Sequence, residues 1–534
     1  MNLIQKSVKG FQKEKVLPTF KIPEIQIEHP EEKIHGDYST NLAMVMAKEV
    51  KKDPMEIAEI LKSKIQISKS KIFEKIEIAQ PGFINFFLSK EYLQKQVGEI
   101  LKQGEKFGQL KIDRGQKVQV EFISANPTGP LHIGNGRGAF FGDCLANILE
   151  KASFKVAREY YINDAKVNTQ IRILGKTALG KGITYLNDYL KGKIENLKEE
   201  IKKSKNEGEA GHLLAQEVQK DIKNFIEKKL KIKFDNWVSE EDLYKRNKVE
   251  KIFKWLKKKN FVYQKEGAWW IKTSEFGASQ DWVVIRSPAE GGEPTYLLSD
   301  IAYHRDKFKR GFQRIINIWG ADHQGHVSKI KAAAKMLGYR GDLDILISQV
   351  VRLKRGKISK RKGETVTLED LIKEVGLDVA RFLYLTKSLD SQMEFDLELA
   401  KEQSEKNPVY YIQYAYARIG SILRKSKIKN QKSKIKIKNE KILKLLSHPS
   451  ELELIKQLIR FPEIVEDTAK DYQVQRIPQY AIDLATIFHQ FYRDCRVISQ
   501  NKNLTQARVR LILAVKIILK NTLDLMGIST PEKM

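Results

Sequence analysis

Cysteine is nearly missing: Cys144 and Cys495 are the only two in 534 residues, far apart and each among apolar neighbours. That excludes a disulfide framework and a cysteine-built zinc site, and it fits reduced core thiols. Long apolar runs are missing too, since no stretch approaches the ~18 residues of a membrane-spanning helix. The opening MNLIQKSVKGFQKEKV lacks an apolar core of signal-peptide length. A cytoplasmic protein with no membrane partner is expected. Internal repeats are absent as well.

Negative charge is in deficit. Against 96 Lys and Arg stand 67 Asp and Glu, a net charge of +29. A field of that sign attracts polyanions, which makes nucleic acid the expected partner, although a lysine-rich proteome would produce the same imbalance. With 41% hydrophobic residues the chain can build packed cores, and its length predicts three or four domains.

Three textures follow one another. Residues 1–112 mix helical periodicity with short apolar runs, Asn41-Leu42-Ala43-Met44 and Phe83-Ile84-Asn85-Phe86-Phe87, flanked by turns at His35-Gly36-Asp37 and Pro81-Gly82. They predict a small α+β domain. Residues 113–395 alternate β-rich runs at 118–123, 156–162, 314–319 and 345–353 with longer helical stretches, the rhythm of a doubly wound parallel sheet. A Lys/Glu-rich helical stretch near 190–260 breaks it and predicts an insertion over about 176–280. Residues 396–534 carry only helical periodicity: Tyr480, Ala481, Leu484, Ile487, Phe488 and Phe491 form one apolar stripe, and 408–418, 441–459 and 506–526 are further helices. An all-α bundle is expected. The Lys/Ile/Ser/Asn run at 424–444 is either a basic RNA-facing segment or a solvated linker.

Two segments carry chemistry. The first β-rich run of the middle region ends in Ser124-Ala125-Asn126-Pro127-Thr128-Gly129-Pro130-Leu131-His132-Ile133-Gly134-Asn135-Gly136-Arg137-Gly138, and a helix begins there. Ligands of open α/β sheets sit at such junctions, where glycines admit a phosphate and the helix N-terminus offers free N–H groups. His132 could bond phosphate oxygens as charge builds. Directly after the last β-rich run comes Lys354-Arg355-Gly356-Lys357-Ile358-Ser359-Lys360-Arg361-Lys362-Gly363, where Lys357 and Lys360 could clamp the β- and γ-phosphates of ATP. By itself a basic loop is more often a solvated surface.

Together these residues resemble class I aminoacyl-tRNA synthetases. His132-Ile133-Gly134-Asn135 is similar to their HIGH signature, with Asn135 for the second histidine. Lys357-Ile358-Ser359-Lys360-Arg361 is similar to KMSKS, with Ile358 for Met and Arg361 for the last Ser. His132 and both lysines are kept, as an active enzyme rather than a silent RNA-binding relative requires. The flanks resemble the arginyl-tRNA synthetase family: Val120-Glu121-Phe122, Asn126 to Pro130, Tyr161-Ile162-Asn163-Asp164-Ala165, Thr295-Tyr296-Leu297, Ser299 to His304, Trp319-Gly320-Ala321-Asp322-His323, Asn407 to Ala415, and the closing Pro531-Glu532-Lys533-Met534. A cysteine-selecting relative would need a thiol cluster that two distant cysteines cannot form.

The resemblance implies an enzyme that joins arginine to the 3′ end of tRNA(Arg) by way of arginyl-adenylate, using ATP with Mg²⁺, no zinc and no protein-held metal. It works as a monomer and activates arginine once tRNA is bound. Pro130, His132, Gly134, Asn135, His323, Lys357, Ser359 and Lys360 would meet ATP, with His132, Lys357 and Lys360 catalytic. Glu121, Ser124, Asn126, His132, Tyr296, Asp300 and His326 would meet arginine. A guanidinium is best held by carboxylates, and an unpaired carboxylate in a β-rich strand, as Glu121 would be, is costly without a cationic ligand. On the residues alone, Glu121 reads rather as a wet-faced strand residue and Asp300 as a helix cap, and the alternative for Asn126 is a turn residue. Tyr38 and Phe83 in the N-terminal tRNA-elbow domain would stack bases or fill a small core. Tyr410, Tyr414 and Arg418 in the anticodon-binding bundle would contact RNA or pack.

Overall fold

The computed structural model describes residues 2–68, 71–111, 115–354, 366–426 and 440–534. Lys357, Ser359 and Lys360 lie outside the described residues, as does most of the Lys-rich run at 424–444. The chain forms two compact units.

One unit comprises Met1–Phe107, Arg418–Arg460 and Thr486–Ile518. Strands β1 (Tyr38–Thr40), β2 (Phe73–Ala79) and β3 (Phe83–Leu88) form an antiparallel sheet of order β1-β3-β2. Helices Asn2–Lys13, Leu42–Val50 and Pro54–Ser68 contribute Ile4, Val8, Phe11, Met46, Ile57 and Leu61 to a core shared with Ile76, Ile84 and Phe86 of the sheet. Both helical and alternating periods are thus present, as the α+β reading requires. Most of the apolar run at 41–44 belongs to the helix Leu42–Val50.

The other unit comprises Gly108–Ala417, Phe461–Ala485 and Leu519–Met534. Its strands are β4 (Lys117–Glu121), β5 (Lys155–Ile162), β6 (Asn236–Ser239), β7 (Val262–Lys265), β8 (Ala268–Ile271), β9 (Trp282–Ile285), β10 (Arg314–Gly320), β11 (Asp342–Ser348), β12 (Val351–Lys354) and β13 (Met393–Asp396). Five of them form a parallel sheet of order β11-β10-β4-β5-β6. Winding starts at central β4 and runs out both ways, so the switch point lies between β4 and β10, where ligands of such sheets bind. Val118, Val120, Ile315, Ile316 and Ile318 are buried, as strands covered on both faces require. This is the doubly wound sheet that the β/α alternation predicts.

Two expectations need correction. The run at 345–353 is not one strand: β11 stops at Ser348, the Gln349 N–H bonds Leu389 instead, and β12 pairs with β13 in a separate two-stranded sheet. An apolar run cannot reveal where its partner changes. The stretch near 190–260 is largely helical, in Asp188–Asn196, Glu207–Asn224 and Lys248–Lys258, but it also holds β6, the edge strand of the main sheet. The chain therefore returns to the sheet inside the predicted insertion. After Asp396 every described element is helical: Pro408–Lys425, Pro449–Ile459, Phe461–Asp471, Arg476–Asp494 and Lys502–Met526. Of the apolar stripe, Tyr480, Ala481, Leu484, Phe488 and Phe491 are buried and Ile487 is half-buried.

Candidate active site

The turn after β4 is strained. Ile123 and Ser124 both have left-handed backbones, with φ of 70° and 38°. For a β-branched residue that costs about 1–3 kcal/mol and persists only where neighbours impose it. Here they do. The Ser124 hydroxyl donates to Glu121 Oε1 at 3.1 Å and accepts the Tyr161 N–H at 3.1 Å, while the Asn163 amide donates to the Ser124 carbonyl at 3.1 Å. The loop then exposes Asn126 and Pro130 and ends at His132.

His132 caps the helix Ile133–Lys151. Its Nδ1 accepts the Gly134 N–H at 3.0 Å, and the Asn135 side-chain oxygen accepts the His132 N–H at 2.9 Å. This reciprocal box gives Asn135 a local structural task where the signature has histidine. Because Nδ1 accepts, the neutral ring carries its proton on Nε2. Partial burial lowers the His132 pKa and Asp322 opposes this, so the ring is a neutral donor near pH 7. The segment that starts at Val366 is fixed beside it: Ile133 N–H bonds the Val366 carbonyl at 3.3 Å, and Leu368 N–H bonds that of Leu131 at 2.8 Å. Before the basic segment in sequence comes β12, held by β13. Both roots of the basic segment are therefore anchored, one of them at the His132 turn.

A row of polar side chains crosses the sheet. Glu159 on β5 and Asn317 on β10 are both register partners of Glu121 on β4. The helix Tyr296–Lys309 covers this row. Lys307 pairs with Glu121 and donates to Asn317 Oδ1 at 2.9 Å, and Arg310 pairs with Glu159. Glu121 is therefore not the unpaired carboxylate expected above, because the chain supplies its cation. Burial pushes the Glu159 carboxyl up, but the Arg310 bond and the Lys307 charge outweigh it and hold the pKa low.

On the same helix Tyr296 is 57% exposed, and Asp300 lies one turn further on. His326 Nε2 is 2.6 Å from Asp300 Oδ2, and its ring packs between Tyr296 and Trp319. Burial raises the Asp300 pKa, yet the His326 bond and charge more than offset it, leaving an ionised carboxylate. Glu240, which the sequence reading missed, lies nearby. It accepts from Asn168 at 2.9 Å and Ser299 at 2.8 Å, and burial reinforced by Asp300 raises its pKa to about 7. Neither Asp300 nor Glu240 has a lysine or arginine partner among the described residues. The buried Tyr161 hydroxyl, beside Glu240 and Asp300, has no hydrogen-bond partner among the described residues. His323 is exposed next to Asp322 at the end of β10.

Three family models cover the chain in order. "Arginyl tRNA synthetase N terminal domain" matches residues 2–88, "tRNA synthetases class I (R), catalytic domain" matches 96–397, and "DALR anticodon binding domain" matches 412–534. The arginine–tRNA ligase of Caldanaerobacter subterraneus is 43% identical over 100% of this chain and 98% of its own. That of Bacillus subtilis is 41% identical over 96% and 95%. The chain belongs to the arginyl-tRNA synthetase family. A putative arginyl tRNA synthetase from Campylobacter jejuni superposes with a TM-score of 0.72 at 33% identity, covering 84% of this chain and 100% of its own. The Thermus thermophilus arginyl-tRNA synthetase shares the fold, with a TM-score of 0.76 at 21% identity over the full length of both.

Within an arginyl-tRNA synthetase frame, the residues singled out for RNA take mixed positions. Tyr38 is half-buried against the first unit's core and packs on His29 at 4.5 Å between ring centres. Phe83 is half-buried on β3. Tyr410 and Tyr414 lie nearly parallel on one helix face with centroids 6.3 Å apart, and Tyr414 is exposed. The Arg418 guanidinium stands 5.0 Å from the Tyr492 ring centre. Glu240 was hidden because Ser239-Glu240-Glu241-Asp242 reads as a capped, acidic helix start facing water. Lys307 left a signal: Asp300, His304 and Lys307 sit at i, i+4 and i+7 of one helix.

Proposed function

We propose that arginine, ATP and the 3′ end of tRNA(Arg) meet at the carboxyl edge of the five-stranded sheet, with the arginine guanidinium held by Asp300 and Glu240. The chain is an arginine–tRNA ligase. One observation carries the pocket: the buried Glu240 and the half-buried Asp300 have no lysine or arginine partner among the described residues, and the Tyr161 hydroxyl beside them has no hydrogen-bond partner among those residues. Buried carboxylates call for a cation, and a planar guanidinium with five donors can bond both acids and the phenol. Tyr296 lies over the bound side chain, His326 orients Asp300, and Ser124 and Asn126 face the amino-acid head group. Glu121, already neutralised by Lys307, sets the floor of the site and the position of Ser124.

ATP enters with Mg²⁺ as part of the substrate and lies along Pro130, Gly134, Asn135 and His323. The arginine carboxylate attacks the α-phosphate and expels pyrophosphate. His132 donates from Nε2 to the phosphate as charge grows, and Lys357, Ser359 and Lys360 offset the charge of the leaving group. The terminal tRNA hydroxyl then attacks the mixed anhydride and releases AMP. Residues 1–112 serve the tRNA elbow and 396–534 the anticodon, with activation waiting for tRNA. In this reading the protein works as a monomer in the cytoplasm, the compartment that suits its free thiols.

ATP–pyrophosphate exchange tests this. Exchange is expected with arginine alone among the twenty amino acids, and only with tRNA present. Asp300→Asn should raise KM for arginine roughly 10- to 100-fold with KM for ATP little changed. An unchanged KM for arginine would remove Asp300 from the pocket.

A further inference from the structure

Lys307 has two acceptors, Glu121 and, at 2.9 Å, Asn317 Oδ1. An ammonium only donates, so the amide oxygen must face it and the Asn317 NH₂ must face His304 Nε2, 2.9 Å away. His304 therefore accepts at Nε2 and carries its proton on Nδ1, which lies 2.8 Å from the Asp300 carbonyl oxygen. The direction of every bond in the chain follows from the ammonium. Its members are shut from water: Glu121 is 3% exposed, His304 2%, Lys307 and Asn317 0%. The rings of Tyr303, Phe308 and Trp319 pack around the imidazole at centroid distances of 5.7, 6.2 and 6.4 Å. Burial, with Lys307 close by, lowers the His304 pKa to about 3, so the ring keeps its accepting nitrogen at any working pH.

We propose that His304 is a positioning residue for arginine recognition, fixing Asp300 against β10 and, through Asn317 and Lys307, against Glu121 on β4. The proposal rests on the pocket reading above. Asp300 reaches arginine from a helix while Glu121 sets the floor of the site from the sheet beneath, and His304 joins the two by bonding the helix at the Asp300 carbonyl and β10 at Asn317. A catalytic pocket keeps its geometry only when the groups behind it are themselves held.

The test is tRNA-dependent arginine activation by the full chain, with KM for arginine and for ATP measured separately. His304→Leu removes both bonds and leaves the Asn317 NH₂ unpaired. Asn317→Asp keeps the shape but sets an acceptor against Nε2. Both should raise KM for arginine about tenfold and leave KM for ATP within about twofold, and His304→Gln in place of His304→Leu should restore part of the loss. If His304→Leu does not fold, Asn317→Asp is judged by the same criterion. Unchanged KM for arginine in a folded variant overturns the proposal, and so does an equal loss against both substrates. Asp300→Asn in the same assay separates the two readings. If it leaves KM for arginine unaltered, the pocket reading fails. If it raises KM while the His304 and Asn317 variants do not, positioning alone fails.

Discussion

Each carboxylate of the site meets a different set of neighbours. Glu121 and Glu159 face Lys307 and Arg310, Asp300 faces His326, and Glu240 has only neutral donors. Burial raises the Glu240 pKa from 4.5 to about 7. A carboxyl whose folded pKa lies above its unfolded value favours the fold fully below the unfolded value, and that contribution is lost as pH rises through the folded one. Glu240 thus contributes less to stability at pH 8 than at pH 6, just where it becomes the anion that a guanidinium needs. KM for arginine should fall between pH 6 and pH 8, and saturating arginine should raise the melting temperature more at pH 8. Glu240→Gln should abolish both trends. A pH-independent KM in the parent protein would place arginine away from Glu240. None of this was legible in Glu240-Glu241-Asp242, since an acidic helix start looks the same whether it faces water or a pocket.

Elements were legible wherever the pattern was long enough to have a period. Strands β4, β5 and β10 were found to within two residues because apolar side chains recur over five to eight positions on both faces. The His132 turn was legible because Pro, Gly and an apolar helix follow it in the order that a strand-to-helix junction demands. The four-residue strand β6 was not, because its strand character comes from pairing with β5 rather than from its own residues. Close helix crossings were hidden for a similar reason. Helices Thr169–Ala178 and Glu207–Asn224 meet at glycines: a Cβ on Gly175 would lie 1.7 Å from the Glu207 carbonyl oxygen, and one on Gly211 would lie 1.9 Å from that of Ile171. No rotamer can relieve a clash with backbone, so the helices would have to separate. Gly211→Ala should cost about 1–3 kcal/mol despite alanine's better helix propensity, read as a lower urea midpoint. A neutral or stabilising result would mean that the helices do not cross so closely.

Over the whole molecule, strand order was the least legible feature, because β4 lies beside β10 although their first residues, Lys117 and Arg314, are 197 positions apart. Charge was the most legible, because it needs no fold to be summed. An excess of +29 spread over a protein that handles tRNA predicts a strong, sequence-independent electrostatic term in binding. Each phosphate neutralised by Lys or Arg releases condensed counterions, and six to ten such contacts on duplex DNA cost about 10³–10⁵ in affinity between 50 and 200 mM salt. Arginine, by contrast, is bound in the proposed pocket by buried groups that mobile ions screen weakly. The two substrates should therefore separate on one salt titration. Affinity for tRNA should fall at least about 100-fold between 50 and 200 mM KCl, while KM for arginine at saturating tRNA moves less than about twofold. A flat tRNA response would mean that the excess charge lies off the RNA-binding faces. A parallel fall in both would mean that the arginine site is open to solvent, against the burial of Glu240.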